Sequence, residues 1–98
     1  MSLHIELGYD HSMTPYVQYG GGDEWVGVIV WHPIGPGCQL QSCRDLGLCG
    51  GSVPFIGHAR DDRPAWNVHS RDPLTLSPSL LCHCGDHGFI QQGRWVPA

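Results

Sequence analysis

Cys84-Gly85-Asp86-His87 sets a thiol and an imidazole three residues apart around a glycine. That spacing lets one sharp turn aim both groups at a single ion, because glycine reaches backbone angles that other residues avoid. The chemistry implied is zinc binding. A structural zinc takes four Cys or His donors, commonly as two closely spaced pairs. Here the second pair must be assembled from further away. Cys49-Gly50 repeats the Cys-Gly step of Cys84-Gly85, and His32 closes the strongest apolar run of the chain. The expected zinc ligands are therefore His32, Cys49, Cys84 and His87, with Cys43 and Cys82 as competitors and Cys38 outside the site. Four such donors saturate a tetrahedral ion, which is the pattern of a structural site.

Other chemistries are weaker. A catalytic zinc would need an open position and a base, for which His32, Cys84 and His87 would hold the ion and Asp86 would activate water. An Asp inside such a turn, however, commonly caps the amides of that turn. A Rieske-type centre needs a Cys-x-His pair besides Cys-x-x-His, with the partner pair still to be found, and none serves here. Cys82 and His83 cannot act as nucleophile and base, since strand neighbours point to opposite faces. His4, His11, His58 and His69 have no evident partner. With no Lys in the chain, Schiff-base chemistry is excluded. The formal charge of −4 and five scattered arginines argue against a surface that grips nucleic acid. Gly20-Gly21-Gly22 lacks the Lys-Ser/Thr of a phosphate cradle and reads as a turn.

The elements that must position these residues are short. Trp25-Val26-Gly27-Val28-Ile29-Val30-Trp31 is the clearest strand, β-branched and aromatic, and its two apolar faces predict a central strand covered on both sides. Before it, residues 3–7 predict one short strand and the rest of 1–24 reads as loop in which Tyr9, Tyr16 and Tyr19 pack. Residues 33–51 show no periodicity. Ser52 to Ile56 predicts an edge strand, because Pro54 cannot donate to a ladder. Arg60-Asp61-Asp62-Arg63 predicts a solvated loop with no metal role. Short strands follow at 65–68 and 74–76 around a turn at 70–73. Phe89-Ile90 and Arg94-Trp95-Val96 form a hairpin reversing at 91–93.

The 98 residues therefore predict a single domain, 1–98, mainly β, a small antiparallel sheet with long loops and a zinc-knuckle-like C-terminal hairpin. Gly 14 and Pro 8 cut the apolar runs short, so the core is thin and a metal staple would help it. No apolar run reaches the roughly 20 residues of a membrane span. Five cysteines, an odd number, with no apolar targeting segment at the start, point to the reducing cytoplasm.

Leu74-Thr75-Leu76-Ser77-Pro78-Ser79, Cys84-Gly85-Asp86-His87-Gly88-Phe89-Ile90 and Gly93-Arg94-Trp95 together resemble a family of small uncharacterised domains. These occur in bacteriophage genomes and in bacterial operons that also encode ubiquitin-like conjugation components. Cys49-Gly50 matches the family's upstream Cys-Gly element, although relatives can carry several closely spaced cysteines there. The resemblance covers about the last half of the chain and implies a β-rich metal-binding module of phage origin, working in the host cytoplasm. The functional expectation is a zinc-stabilised, non-enzymatic accessory protein acting through contacts with a protein partner. The alternative is a small metal-dependent hydrolase.

Overall fold

A computed structural model of the protein describes residues 4–18, 22–34, 38–59, 63–82 and 84–98. Tyr19, Gly20, Gly21, Arg60, Asp61, Asp62 and His83 lie outside them. Among the described residues nine strands and one short helix follow in order: β1 Ile5–Gly8, β2 His11–Val17, β3 Trp25–Pro33, α1 Gln41–Leu46, β4 Leu48–Pro54, β5 Asn67–Arg71, β6 Leu74–Ser77, β7 Leu80–Leu81, β8 His87–Gln91 and β9 Arg94–Pro97. They pair as three antiparallel sheets, β1-β2-β3-β4, β5-β6 and β7-β8-β9. The mainly β, antiparallel class is as expected. The sole helix among the described residues is six residues long, and no helix is long and apolar enough to cross a membrane.

One apolar core serves all three sheets. Leu7, Met13, Val28, Val30 and Val53 come from the four-stranded sheet, Leu74 and Leu76 from β6, and Leu80, Ile90 and Trp95 from the C-terminal sheet, with Phe55 among them. Phe55 and Trp66 form an isolated parallel bridge that carries the chain from the large sheet to β5. Val28 and Ile90, both fully buried, show the alternation that makes one face of each strand the inner one.

β3 lies between β2 and β4, as its sequence required. Its second face is a correction. Val26, Val28, Val30 and His32 are buried, but Trp25, Ile29 and Trp31 are half-exposed. Side chains of the neighbouring strands fold over that face, and Leu40, Ser42 and Leu46 of the α1 region share a pocket with Ile29 and Trp31. Tyr16 lies across Gly27, and the Trp31 indole lies over Gly50 while its N–H donates to Thr14 Oγ1 at 3.1 Å.

Two segments read as loop are ordered elements. β2 was hidden by Pro15 and by the polar start His11-Ser12. β1 accompanies it only from His11 to Met13, so Pro15 stands where β2 has β3 on one side and no paired β1 residue on the other, a position that tolerates a missing N–H. Within 33–51, α1 is too short to display a helical period, and it stops at Gly47, whose φ of 73° and N–H to Cys43 O are those of a left-handed cap. β4 then begins at Leu48, earlier than expected, and is an edge strand. Its glycines disguised it. Gly50 is needed because a Cβ there would sit 2.5 Å from the Trp31 ring. The β8–β9 reversal falls on Gln92 and Gly93, with φ of 53° and 71°.

Candidate functional site

The register of β3 against β4 sets His32 directly opposite Cys49. Across from them the chain between β7 and β8 folds back as a tight turn, in which the Gly85 N–H donates to Cys82 O at 2.9 Å and the Cys82 N–H to Asp86 O at 2.8 Å. Gly85 has φ +96°, so the sharp bend its sequence suggested is present. This turn brings Cys84 up to the sheet, with its Sγ 3.8 Å from His32 Nε2. Ligand atoms of His32, Cys49 and Cys84 all lie within 4.8 Å of one another, and so do those of Cys38, Cys43 and Cys49. Cys and His clusters close enough to hold a metal ion are thus part of the fold.

Two placements differ from expectation. Cys38, set outside the site by its sequence context, is buried with its sulfur 3.4 Å from Cys49 Sγ. Its loop and α1 fold back onto β4, so Cys38 and Cys43 reach Cys49 from the side. All five cysteines of the chain therefore gather at one place, Cys82 and Cys84 packing against the buried Cys38, Cys43 and Cys49. Burial, foremost, pushes the Cys82 thiol pKa up, and the neighbouring Cys84 and Asp86 charges add to it. His87, by contrast, joins none of these clusters.

Among the described residues, the Asp86 carboxylate meets histidines of the large sheet and no amide of its own turn. Its Oδ2 lies 2.6 Å from His11 Nε2 and 4.0 Å from His32 Nε2. His11 is buried, stacked on Trp95 with ring centroids 4.1 Å apart, and its Nδ1 faces the Tyr9 carbonyl at 2.7 Å. A histidine without an evident partner in the sequence thus anchors the turn to β2. The link spans 75 residues of chain, and nothing local announces it.

His87 opens β8 on the other side of the turn, and its Nε2 lies 2.8 Å from Ser79 Oγ. Ser79 sits between β6 and β7, off the ladder, and its carbonyl accepts the Trp66 indole N–H at 3.3 Å. Leu80, Leu81 and Cys82, which follow Ser79 in the chain, line a cleft of about 190 Å³ together with Gly51, Ser52 and Val53 of β4 and with Trp66. A nucleophile and a base in hydrogen-bond contact can perform acyl transfer. A second Ser–His pair exists: His69 Nε2 is 2.6 Å from Ser77 Oγ. It joins the paired strands β5 and β6; neither pair lines that cleft, but Ser79 directly precedes its lining residue Leu80.

A family model described as the bacterial ubiquitination-like system serine protease, BubE, matches residues 46–98, just over half of the chain. The chain belongs to the BubE family. Its tie to bacterial ubiquitin-like conjugation agrees with the resemblance drawn from the C-terminal motifs. Comparison with curated proteins and with solved structures gave no match. The BubE segment contains Ser79, His87 and the other Ser–His pair, but only Cys49, Cys82 and Cys84 of the sulfur cluster. Sequence reading quoted Ser79 within its motif and gave it no chemistry. The available signal was a Ser eight residues before a His on either side of a Gly-containing turn, a spacing that brings the two across a hairpin.

Proposed function

We propose that the chain is a serine peptidase of a bacterial ubiquitination-like system, with Ser79 as nucleophile and His87 as its base. The observation that carries this is the 2.8 Å contact between Ser79 Oγ and His87 Nε2, joined by the description of the BubE family. In the reaction, Ser79 Oγ bonds to the carbonyl carbon of the scissile amide while its proton passes to His87 Nε2. The C–N bond then breaks as His87 returns that proton to the leaving amine. Water, deprotonated by His87, attacks the resulting ester; a carboxylate product leaves and Ser79 recovers its proton.

The cleft of about 190 Å³ lined by Leu80 and Leu81, next in the chain to Ser79, and by Gly51 and Ser52 of β4 would take part of the peptide substrate. The Cys/His cluster is then a structural zinc site and not the source of the chemistry. The metal-dependent alternative loses its base, because Asp86 Oδ2 is held by His11. A non-enzymatic accessory role leaves the Ser79–His87 contact without a purpose. Phage or bacterial origin does not alter this chemistry.

A fluorophosphonate, which acylates activated serines without any substrate knowledge, tests the reading. The expected result is one modified residue, Ser79, with labelling abolished in Ser79→Ala, slowed about 100-fold or more in His87→Ala, and unchanged in Ser77→Ala and His69→Ala. Labelling that survives Ser79→Ala, or that maps to Ser77, would overturn it.

A further inference from the structure

We infer that Cys38, Cys43, Cys49 and Cys84 together hold one zinc ion, and that this ion fixes the turn from which His87 reaches Ser79. The second clause rests on the peptidase reading; the ligand set does not.

Three of the four sulfurs are already assembled on the large-sheet side. Cys38, Cys43 and Cys49 lie within 4.8 Å of one another, all buried. The 3.4 Å between Cys38 and Cys49 sulfurs is near the edge of roughly 3.8 Å that four thiolates at about 2.3 Å from one zinc define. It is well beyond the roughly 2.05 Å of a disulfide. Soft thiolate donors in this number select zinc over the hard cations.

The fourth ligand comes from the turn. Cys84 and Cys82 both pack against the trio, but of the two only Cys84 belongs to a metal-sized group of ligand atoms, the one it forms with Cys49 and His32, so Cys49 is common to both groups. His32 Nε2 stands beside the Cys84 sulfur at 3.8 Å and its Nδ1 faces the Pro33 carbonyl at 2.9 Å; between the two, Cys84 is assigned as the fourth ligand because it completes an all-thiolate set with the trio, and His32→Ala tests that choice. The trio belongs to the α1–β4 side of the molecule and Cys84 to the C-terminal sheet. An ion shared between them joins two elements that are distant in sequence, and it does so three residues before His87. The geometry of the Ser79–His87 contact then depends on the metal, because a displacement of about 1 Å in a reacting group can cost on the order of 100-fold in rate.

The test uses the full chain. Metal analysis of the purified protein should give one zinc per chain, retained in His32→Ala, Cys82→Ser, Ser79→Ala and His87→Ala and lost in Cys38→Ser and Cys84→Ser. Since ligand variants can fail to fold, the parent itself supplies the second measurement. Zinc should protect Cys38, Cys43, Cys49 and Cys84 from alkylation, chelation should expose all four, and Cys82 should react equally in both states. Removing zinc should slow fluorophosphonate labelling of Ser79 about 100-fold, and adding zinc back should restore it. The ligand set is overturned by a metal-free protein carrying a Cys38–Cys49 disulfide, or by loss of zinc from His32→Ala with retention in Cys84→Ser. The positional role is overturned if the chelated protein labels as fast as the parent. A zinc-loaded parent that never labels overturns the peptidase reading while its one zinc per chain upholds the ligand set.

Discussion

Gly50 and Gly51 look interchangeable in sequence, yet their surroundings separate them. A Cβ on Gly50 would meet the Trp31 ring at 2.5 Å, and one on Gly51 would meet nothing within 4 Å. Gly50→Ala should therefore destabilise the protein by about 1–3 kcal/mol through overpacking, while Gly51→Ala should stay within about 0.5 kcal/mol of the parent; urea denaturation of the two variants measures the difference. Gly88→Ala should be worse than either, because its Cβ would press on backbone, the Val96 carbonyl at 2.8 Å, as well as on the Trp95 indole. Asp86→Asn makes a different kind of change. It keeps the shape and weakens a 2.6 Å contact with buried His11, with an expected loss of about 2 kcal/mol, the scale of a hydrogen bond to a charged group. A urea midpoint equal to that of the parent would show the His11–Asp86 contact to be incidental. At this scale the sequence singled out Cys49, Cys84 and His32, whose ligand atoms come within 4.8 Å of one another, since type and glycine context are local. It could not show that His11 meets Asp86, because that contact depends on how sheets far apart in the chain come together; the His87–Ser79 contact is local, eight residues across one turn, and its signal was the spacing alone.

Elements were legible in proportion to how far their stabilisation is local. β3 and the β8–β9 hairpin declare themselves through β-branched runs and through the turn at Gln92-Gly93, where both residues take positive φ. β2 and β4 do not, because their stability comes from β3 lying between them, and its ladder overrides the weak propensities of Pro15 and of Gly50-Gly51. α1 is a helix only because its Cys43 side packs into the sulfur cluster and Gly47 closes it. The hairpin likewise belongs to the main core and is no separate knuckle: Ile90 is fully buried against residues from every sheet, while Leu81 on the neighbouring short strand is 70% exposed. Ile90→Ala should cost about 2–5 kcal/mol and lower the melting temperature of the whole domain in a single transition, whereas Leu81→Ala should leave it within a degree or two. Two separate transitions in the Ile90 variant would mean that the C-terminal sheet folds on its own.

For the molecule as a whole, the question is which of its Cys and His residues hold the fold and which serve the chemistry. From spacing alone, Cys84 and His87 form a unit whose loss unfolds the domain, and Cys38 is a bystander. The assembled structure divides them otherwise, with Cys38 buried in the sulfur cluster and His87 exposed beside Ser79. A structural zinc contributes on the order of 10 kcal/mol of apparent binding free energy, comparable with the whole stability of a small domain. Any thiolate of that site should therefore outweigh a surface histidine in a melting experiment. Cys38→Ser and Cys84→Ser are expected to melt broadly and at lower temperature, or to fail to accumulate as folded protein. His87→Ala should melt sharply at the parent's temperature while losing its reaction with the fluorophosphonate. A strong chelator should lower the melting temperature of the parent and of His87→Ala equally, since both keep the sulfur cluster, and should change little in Cys38→Ser, which has already lost the ion. If His87→Ala melts like Cys84→Ser and responds no further to chelation, His87 is bound to the metal after all, and its contact with Ser79 plays no part in catalysis.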